Sequence, residues 1–133
     1  MSEEQLRLSL VRHWVEIAEE DYWAAQVALQ ADPPKLSIAS FHTQQMAEKY
    51  LKAFLELQAI EVPRTHSLVR LLDLCNQVTA DFGPLTAAAA SLDEVGIEPR
   101  YPPTRLTQEK AQRGLQYAES VRRLVRDRLP LDS

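Results

Sequence analysis

Cysteine, glycine and long apolar runs are scarce in this chain of 133 residues. With three glycines there is no glycine-rich phosphate loop, and a single cysteine, Cys75, excludes an intramolecular disulfide framework and any multi-cysteine metal site. No apolar run approaches the roughly 20 residues that cross a bilayer, and the first residues are acidic where a signal peptide is positive. We therefore expect a cytoplasmic protein that does not enter a membrane.

An excess of basic residues is also missing. The chain has 15 Lys and Arg against 19 Asp and Glu, a formal charge of −4. This balance argues against a broad surface that coats nucleic acid, but it leaves room for a small basic cleft. Since about 100 to 200 residues per domain is usual, we predict a single domain over residues 1–133. Any site then lies on this core or between copies of it.

Apolar residues recur at steps of three and four along most of the chain, and this period is typical of amphipathic helices. No segment alternates with a period of two. Helices are predicted over about residues 4–31, 36–60, 68–78, 84–95 and 108–129. The sequence therefore predicts an all-α fold, an antiparallel, up-and-down bundle of about five helices.

Capping residues and prolines mark the ends of the shorter helices. Thr65 or Ser67 can cap the third helix. The predicted buried stripe of that helix consists of Leu68, Leu71, Leu72, Cys75 and Val78. Pro84 fits the first turn of the fourth helix, and Gly96 is placed to end it. Residues 98–105 contain three prolines, so we expect an extended loop before the last helix.

Asp21 interrupts the apolar stripe of the first helix. The apolar positions of that helix are Leu10, Trp14, Ile17, Ala18, Ala25, Ala28 and Leu29. Because an unpaired buried charge costs several kcal/mol, Asp21 needs backbone donors or a cation, with Lys49, Arg100 or a histidine as candidates. A structural ion pair is the simpler interpretation, and a catalytic carboxylate is the alternative.

Polar side chains share one narrow side of the second helix, at about 100° per residue. This polar strip consists of His42, Gln45, Lys49, Lys52 and Glu56. One interpretation is a solvated helix face on which Glu48 and Glu56 offset the two lysines. The other is that the polar strip forms the wall of a cleft.

The proline-rich loop concentrates groups that suit a phosphate. Arg100 and Arg105 can each donate two parallel hydrogen bonds, and Tyr101 can stack on a base or bind a phosphate oxygen. Alternatively, Arg100 ties the loop to Asp21 or to a helix C-terminus. His66, at the start of the third helix, can cap it, contact a ligand or face water.

Several chemistries lack their residues in this chain. There is no nucleophile elbow and no paired Glu-x-x-His motif of the di-iron type. Cys75 lies on the apolar stripe of the third helix, where it is expected to fill the core rather than act as a nucleophile. We expect neither a metal nor a cofactor.

These features follow one another in an order that resembles the HEPN domain (higher eukaryotes and prokaryotes nucleotide-binding). Asp21 lies inside a long first helix, and Thr65-His66-Ser67-Leu68 and Arg100-Tyr101-Pro102 follow the second. The most specific residues are on the second helix: His42, Gln44, Gln45, Glu48, Lys49 and Lys52. The resemblance covers about residues 14–129.

The resemblance implies a helical bundle that pairs with a second copy and leaves a cleft between the protomers. Many small prokaryotic members resemble partners of a minimal nucleotidyltransferase, often as a toxin and antitoxin pair. Several branches are metal-independent ribonucleases with an Arg followed four to six residues later by a His near the last helix. Here no histidine follows Arg100 or Arg105, the last one being His66, so that activity is not carried over residue by residue.

Three functions are therefore in competition. The leading one is a module that binds a nucleotide or RNA phosphate and works with a nucleotidyltransferase-type partner, lined by Gln45, Lys49, Lys52, Arg100, Tyr101 and Arg105. The second is a metal-independent endoribonuclease with a divergent site at the dimer cleft, for which the candidates are Arg100, His42, His66 and Tyr101. The third is a scaffold for dimerisation or partner docking. Asp21 and Glu48 are expected to form structural ion pairs.

Overall fold

The computed structural model describes residues 2–97 and 106–130. Its helices are α1 (Glu3–Gln30), α2 (Leu36–Leu57), α3 (Leu68–Asn76), α4 (Thr86–Ile97) and α5 (Gln108–Arg126), with a 3₁₀ helix at Ala80–Leu85. No strand occurs within the described ranges. The predicted all-α fold of five helices is confirmed. None of the described helices is both long enough and apolar enough to span a bilayer.

α2 is the central helix of the bundle. It packs against α1, α5, α4 and α3, so it is covered on most of its circumference. Its fully buried apolar side chains are Ala39, Met46, Ala47, Tyr50, Leu51, Ala53 and Leu55. This position explains why so many side chains of α2 are buried, and it also forces some of its polar side chains out of water.

Two predicted core positions are wrong. Leu10 is 42% exposed, whereas the adjacent Val11 is fully buried and Val15 nearly so. Val78 is 43% exposed because α3 ends at Asn76. For Leu10 the period of the apolar residues was right, but the rotation of the helix about its axis depends on what packs against it.

The caps of the shorter helices come partly from distant residues. Ser67, one of the two residues predicted to cap α3, does so: its hydroxyl accepts a hydrogen bond from the Arg70 N–H at 3.3 Å. The Asp93 carboxylate, from α4, also accepts from the N–H groups of Leu68 and Val69, at 2.7 and 3.2 Å. The first N–H groups of a helix have no acceptor within the helix, so a carboxylate at the N-terminus of α3 can accept hydrogen bonds from them. Its negative charge also interacts favourably with the positive end of the helix dipole.

Both predicted ends of the fourth helix are wrong. Pro84 lies in the 3₁₀ helix that precedes α4, where its fixed φ is equally well accommodated. Gly96 does not end α4, which continues to Ile97. A glycine ends a helix only where the chain takes up a left-handed conformation, and no described glycine has a positive φ. The predicted loop over residues 98–105 lies outside the described residues.

α2 ends three residues earlier than its pattern predicts, because Ala59 adopts a left-handed backbone conformation with φ of 59°. The Ile60 N–H donates to the Leu55 carbonyl at 3.0 Å, and the Ala59 N–H donates to the Glu56 carbonyl at 3.1 Å. These two bonds form a Schellman motif, which normally has glycine at the left-handed position. The apolar pattern runs past this turn because Ile60 packs back on the core.

Replacing Ala59 by glycine should stabilise the protein. An alanine in the left-handed region is strained by its Cβ, so Ala59→Gly should raise the free energy of unfolding by about 0.5 to 1 kcal/mol in urea denaturation. The control is Ala90→Gly on the exposed side of α4, which should lower the free energy of unfolding by about 1 kcal/mol. A loss of stability in both variants would contradict the left-handed turn.

Candidate functional site

The antiparallel packing of α1 on α2 brings Asp21 next to His42. The His42 Nδ1–H donates to the Asp21 carboxylate at 2.7 Å, and the two side chains are 30% and 14% exposed. The rings of His42 and Phe41 pack in a T-shaped arrangement, with 5.2 Å between ring centroids. Asp21 thus has the partner that its place in an apolar stripe required, and that partner is a histidine rather than Lys49. This hydrogen bond fixes the orientation of the ring through Nδ1, and it leaves Nε2 free to interact with another group.

Glu48 is the most deeply buried charge on α2, with 1% of its side chain exposed. Its Oε2 accepts from the ammonium groups of Lys52 at 3.1 Å and Lys49 at 3.3 Å. Its Oε1 accepts from His66 Nδ1 at 2.9 Å. Two lysine charges therefore share one carboxylate, so this group of three carries a net positive charge.

The hydrogen bonds around Glu48 outweigh the effect of its burial. Burial alone would raise the pKa of the Glu48 carboxyl, but the hydrogen bond from His66 and the charges of Lys49 and Lys52 hold that pKa below the ordinary value of 4.5. Glu48 is therefore ionised at neutral pH.

A chain of amide hydrogen bonds links Lys49 to the segment before α3. The Lys49 ammonium donates to Gln45 Oε1 at 2.6 Å, and Gln45 Nε2 donates to Gln44 Oε1 at 2.9 Å. Gln44 Nε2 in turn donates to the backbone carbonyl of His66 at 2.6 Å. The buried Gln44 belongs to the pattern on the second helix, yet it is absent from the predicted ligand-binding set, because a sequence does not show which side of α2 faces α3.

The interpretation of the polar strip as a solvated helix face is wrong for its lysines. The side chains of Lys49 and Lys52 are 14% and 9% exposed. The Lys52 ammonium lies 5.5 Å from the centroid of the Trp14 ring, a cation–π arrangement. Glu48 offsets both lysines, as predicted, whereas Glu56 makes no ion pair with either in the described part of the chain. The central position of α2 is the physical reason.

A second polar network lies between α1, α2 and α5. Arg122 donates two hydrogen bonds to the Glu19 carboxylate, at 2.8 and 2.9 Å. The Tyr50 hydroxyl also donates to Glu19, and Arg126 donates to the Tyr50 oxygen at 3.2 Å. Burial, with the hydrogen bond to Glu19, raises the pKa of Tyr50 to about 12, so it stays protonated. No local pattern predicts this network, since Glu19 and Arg122 lie at opposite ends of the chain.

Cys75 is buried in the core, and the two candidate histidines lie in separate pairs. Cys75 is fully buried, and burial raises the pKa of its thiol to about 12, so it is core filler as predicted. Residues 2–97 and 106–130 hold no cluster of three metal-ligating side chains. His42 and His66 belong to separate carboxylate pairs, with Asp21 and Glu48.

The structure places only part of the predicted ligand-binding set. Gln45, Lys49 and Lys52 lie together on α2, joined through Glu48. The other predicted members, Arg100, Tyr101 and Arg105, lie outside the described residues.

The profile of the HEPN domain matches residues 11–128 of this chain. The chain belongs to the HEPN family. TT1696 from Thermus thermophilus has a similar structure, with a TM-score of 0.74 and 29% identity over 90% of this chain and 98% of that one. ST0689, an archaeal HEPN homologue, has a TM-score of 0.70 and 26% identity over 89% of this chain and 96% of that one. A comparison with curated proteins finds no match.

Both polar networks fall inside the part of the chain that matches the HEPN domain. The matched range begins at Val11 and ends at Arg128, so it includes the Asp21–His42 pair, the Glu48 cluster and the Glu19–Arg122 pair. The departure from the ribonuclease pattern noted in the sequence applies within the same range, because no histidine follows Arg100 in this HEPN domain.

Removing the charge of Glu48 should destabilise this HEPN domain strongly. Glu48→Gln leaves two nearly buried ammonium groups without a carboxylate, and breaking a buried pair costs about 3 to 5 kcal/mol. Urea denaturation at neutral pH measures this loss. The matched control is Glu56→Gln on the same helix, which should change the free energy of unfolding by less than about 0.5 kcal/mol.

The effect of Glu48→Gln should depend on pH. The pKa of this carboxyl is lower in the folded state than its ordinary value of 4.5, so its stabilisation is present above that pH and disappears as the pH falls through the folded pKa. The difference in stability between the wild type and Glu48→Gln should therefore shrink below about pH 4.5. A difference that stays constant down to the acid transition would contradict an ionised Glu48.

Proposed function

We propose that this HEPN domain binds a phosphate-bearing ligand, either a nucleotide or an RNA strand, at the polar strip of α2. The observation that carries the proposal is the charge balance at Glu48, where two lysine ammonium groups share one carboxylate. An excess cation beside a hydrogen-bonding surface favours an anionic ligand.

Lys49 is the residue of this cluster that is suited to contact the ligand. An ammonium group has three donors, and Lys49 directs hydrogen bonds to Gln45 and Glu48 in the described structure. The third donor is available for a phosphate oxygen, and 14% of the side chain reaches the surface. Lys52 is less exposed and lies against Trp14, so its role is to support the cluster.

Residues outside the described ranges complete the proposal. Arg100, Tyr101 and Arg105 belong to the segment that joins α4 to α5, and both of these helices pack against α2. Two arginines and a tyrosine in that segment would add bidentate phosphate contacts and a stacking surface.

We also propose that the domain acts as a homodimer together with a minimal nucleotidyltransferase-type protein, in a toxin and antitoxin type of system. Membership of the HEPN family supports this part. Coexpression of the two proteins followed by size-exclusion chromatography tests it, because a stable complex would elute earlier than either protein alone.

Replacing Lys49 should weaken ligand binding and leave the fold intact. In Lys49→Met, Lys52 still pairs with Glu48, so the melting temperature should change little. The Kd for labelled single-stranded RNA or a nucleoside triphosphate should rise about tenfold, and for RNA the dependence of log K on log salt should lose about 0.7 units of slope. Fluorescence anisotropy at several salt concentrations measures both quantities.

Lys110→Met is the matched control, because Lys110 is an exposed lysine on α5. It should leave the Kd within about twofold of the wild-type value, since an exposed charge away from the site contributes little. An equal loss in both variants would indicate unspecific attraction. A lower melting temperature in Lys49→Met with unchanged binding would assign Lys49 to a structural ion pair instead.

A ribonuclease with a divergent site is the second candidate, and one observation favours it. Both His42 and His66 are bonded to a carboxylate through Nδ1, and this arrangement can hold a histidine base in one tautomer with Nε2 directed at a substrate. Among the described residues no arginine or lysine pairs with Asp21, so the Asp21 carboxylate is available to orient His42.

Incubation with labelled single-stranded RNA in EDTA separates the two candidates. We expect bound RNA to remain intact in the wild type. Cleavage that persists in EDTA and disappears in Arg100→Ala or His42→Gln would instead assign a metal-independent ribonuclease. The absence of RNA cleavage, together with the absence of binding to both RNA and a nucleoside triphosphate, would overturn the phosphate-binding proposal in favour of a docking scaffold.

A further inference from the structure

Trp23 is the most exposed large apolar residue in the described part of the chain, at 66%. Val27, one helical turn further along α1, is 46% exposed. Trp23 borders a shallow surface cavity of about 500 Å³, which we call the Trp23 face. The cavity is lined by Glu16, Glu19, Glu20, Trp23 and Ala24.

The Trp23 face is separate from the candidate phosphate site. Residues two positions apart in an α-helix are separated by about 200° around its axis, so Trp23 points away from Asp21, which contacts α2 through His42. The cavity is therefore on the side of α1 that does not face the polar strip. A ligand at Lys49 leaves the Trp23 face accessible.

Of the three carboxylates of the Trp23 face, one forms an ion pair and two do not. Glu19 is paired with Arg122 at 2.8 Å. Glu16 and Glu20 are exposed, and neither has a cationic partner within residues 2–97 and 106–130. They lie four residues apart on one helix, where like charges repel each other. Two carboxylates that form no ion pair in the described structure thus line the same cavity as an exposed aromatic ring.

This combination has a clear electrostatic complement. The face of a tryptophan ring attracts a guanidinium or ammonium group, and adjacent carboxylates strengthen that attraction. Tryptophan is also enriched among the residues that dominate protein interfaces. A nucleic acid or an anionic lipid surface would be repelled by Glu16 and Glu20, so the charge selects a basic partner.

We propose that the Trp23 face is a docking surface for a basic, amphipathic segment of a partner protein. An Arg or Lys of that segment stacks on Trp23 and pairs with Glu16 and Glu20, while a neighbouring apolar side chain contacts Val27. This interaction is independent of the proposed phosphate binding, because it uses the opposite side of α1.

The test uses the full chain and a short amphipathic peptide of Leu, Lys and Arg as the probe. Binding is followed by isothermal titration calorimetry at physiological salt. We expect the double variant Glu16→Gln/Glu20→Gln and the single variant Trp23→Ala each to raise the Kd for the peptide about tenfold. All three residues are exposed, so the helical circular dichroism should be unchanged.

Glu3→Gln/Glu4→Gln is the matched control, because it removes the same charge from exposed residues of the same helix. It should leave the Kd within about twofold of the wild-type value. Equal losses in the two double variants, or unchanged binding in Trp23→Ala, would overturn the proposal. Lys49→Met should retain full peptide binding, so failure of the phosphate proposal is recognised separately.

Analytical ultracentrifugation of wild type and Trp23→Ala distinguishes a second copy of the chain as the occupant. We expect the same oligomeric state in both. Dissociation caused by Trp23→Ala would mean that the Trp23 face contacts another copy of this chain, and it would overturn the assignment to a different, basic partner.

Discussion

The ionised carboxylate of Glu48 is the interaction on which the rest of this structure depends. It is almost completely buried on the central helix, and Lys49, Lys52 and His66 together supply hydrogen bonds to both of its oxygens. Through these contacts one side chain connects α2 to the segment before α3. Trp14 adds α1 to the same cluster by packing against Lys52.

The two polar networks differ in how their carboxylates are paired. In the Glu19 network the Arg122 guanidinium matches the Glu19 carboxylate in a bidentate pair, and Arg126 adds a second cation through the Tyr50 hydroxyl. The Glu48 cluster has one cation more than it has carboxylates. The first network therefore fastens α5 to the bundle, whereas the second retains a charge that an anionic ligand would neutralise.

The same residues of the polar strip serve stability and, in our proposal, ligand binding. Gln45 holds the Lys49 ammonium in place at 2.6 Å, so part of the entropy cost of fixing a long side chain is met before a ligand arrives. The amide chain through Gln44 to the His66 carbonyl makes this orientation depend on the segment before α3. A ligand at Lys49 would then also stabilise that segment.

The sequence alone determined the number of helices, their approximate ends and the family, because apolar periodicity and a dense local motif are properties of short stretches of chain. It also showed that Asp21 needed a partner, since a carboxylate in an apolar stripe must be compensated. Only the tertiary structure decided that this partner is His42, that Lys52 and Glu48 are buried, and that Leu10 faces solvent. It also brought Glu19 into contact with Arg122, which lies far away in the sequence. Periodicity tells which residues share a helix face, but which neighbour covers that face depends on how all five helices pack around α2.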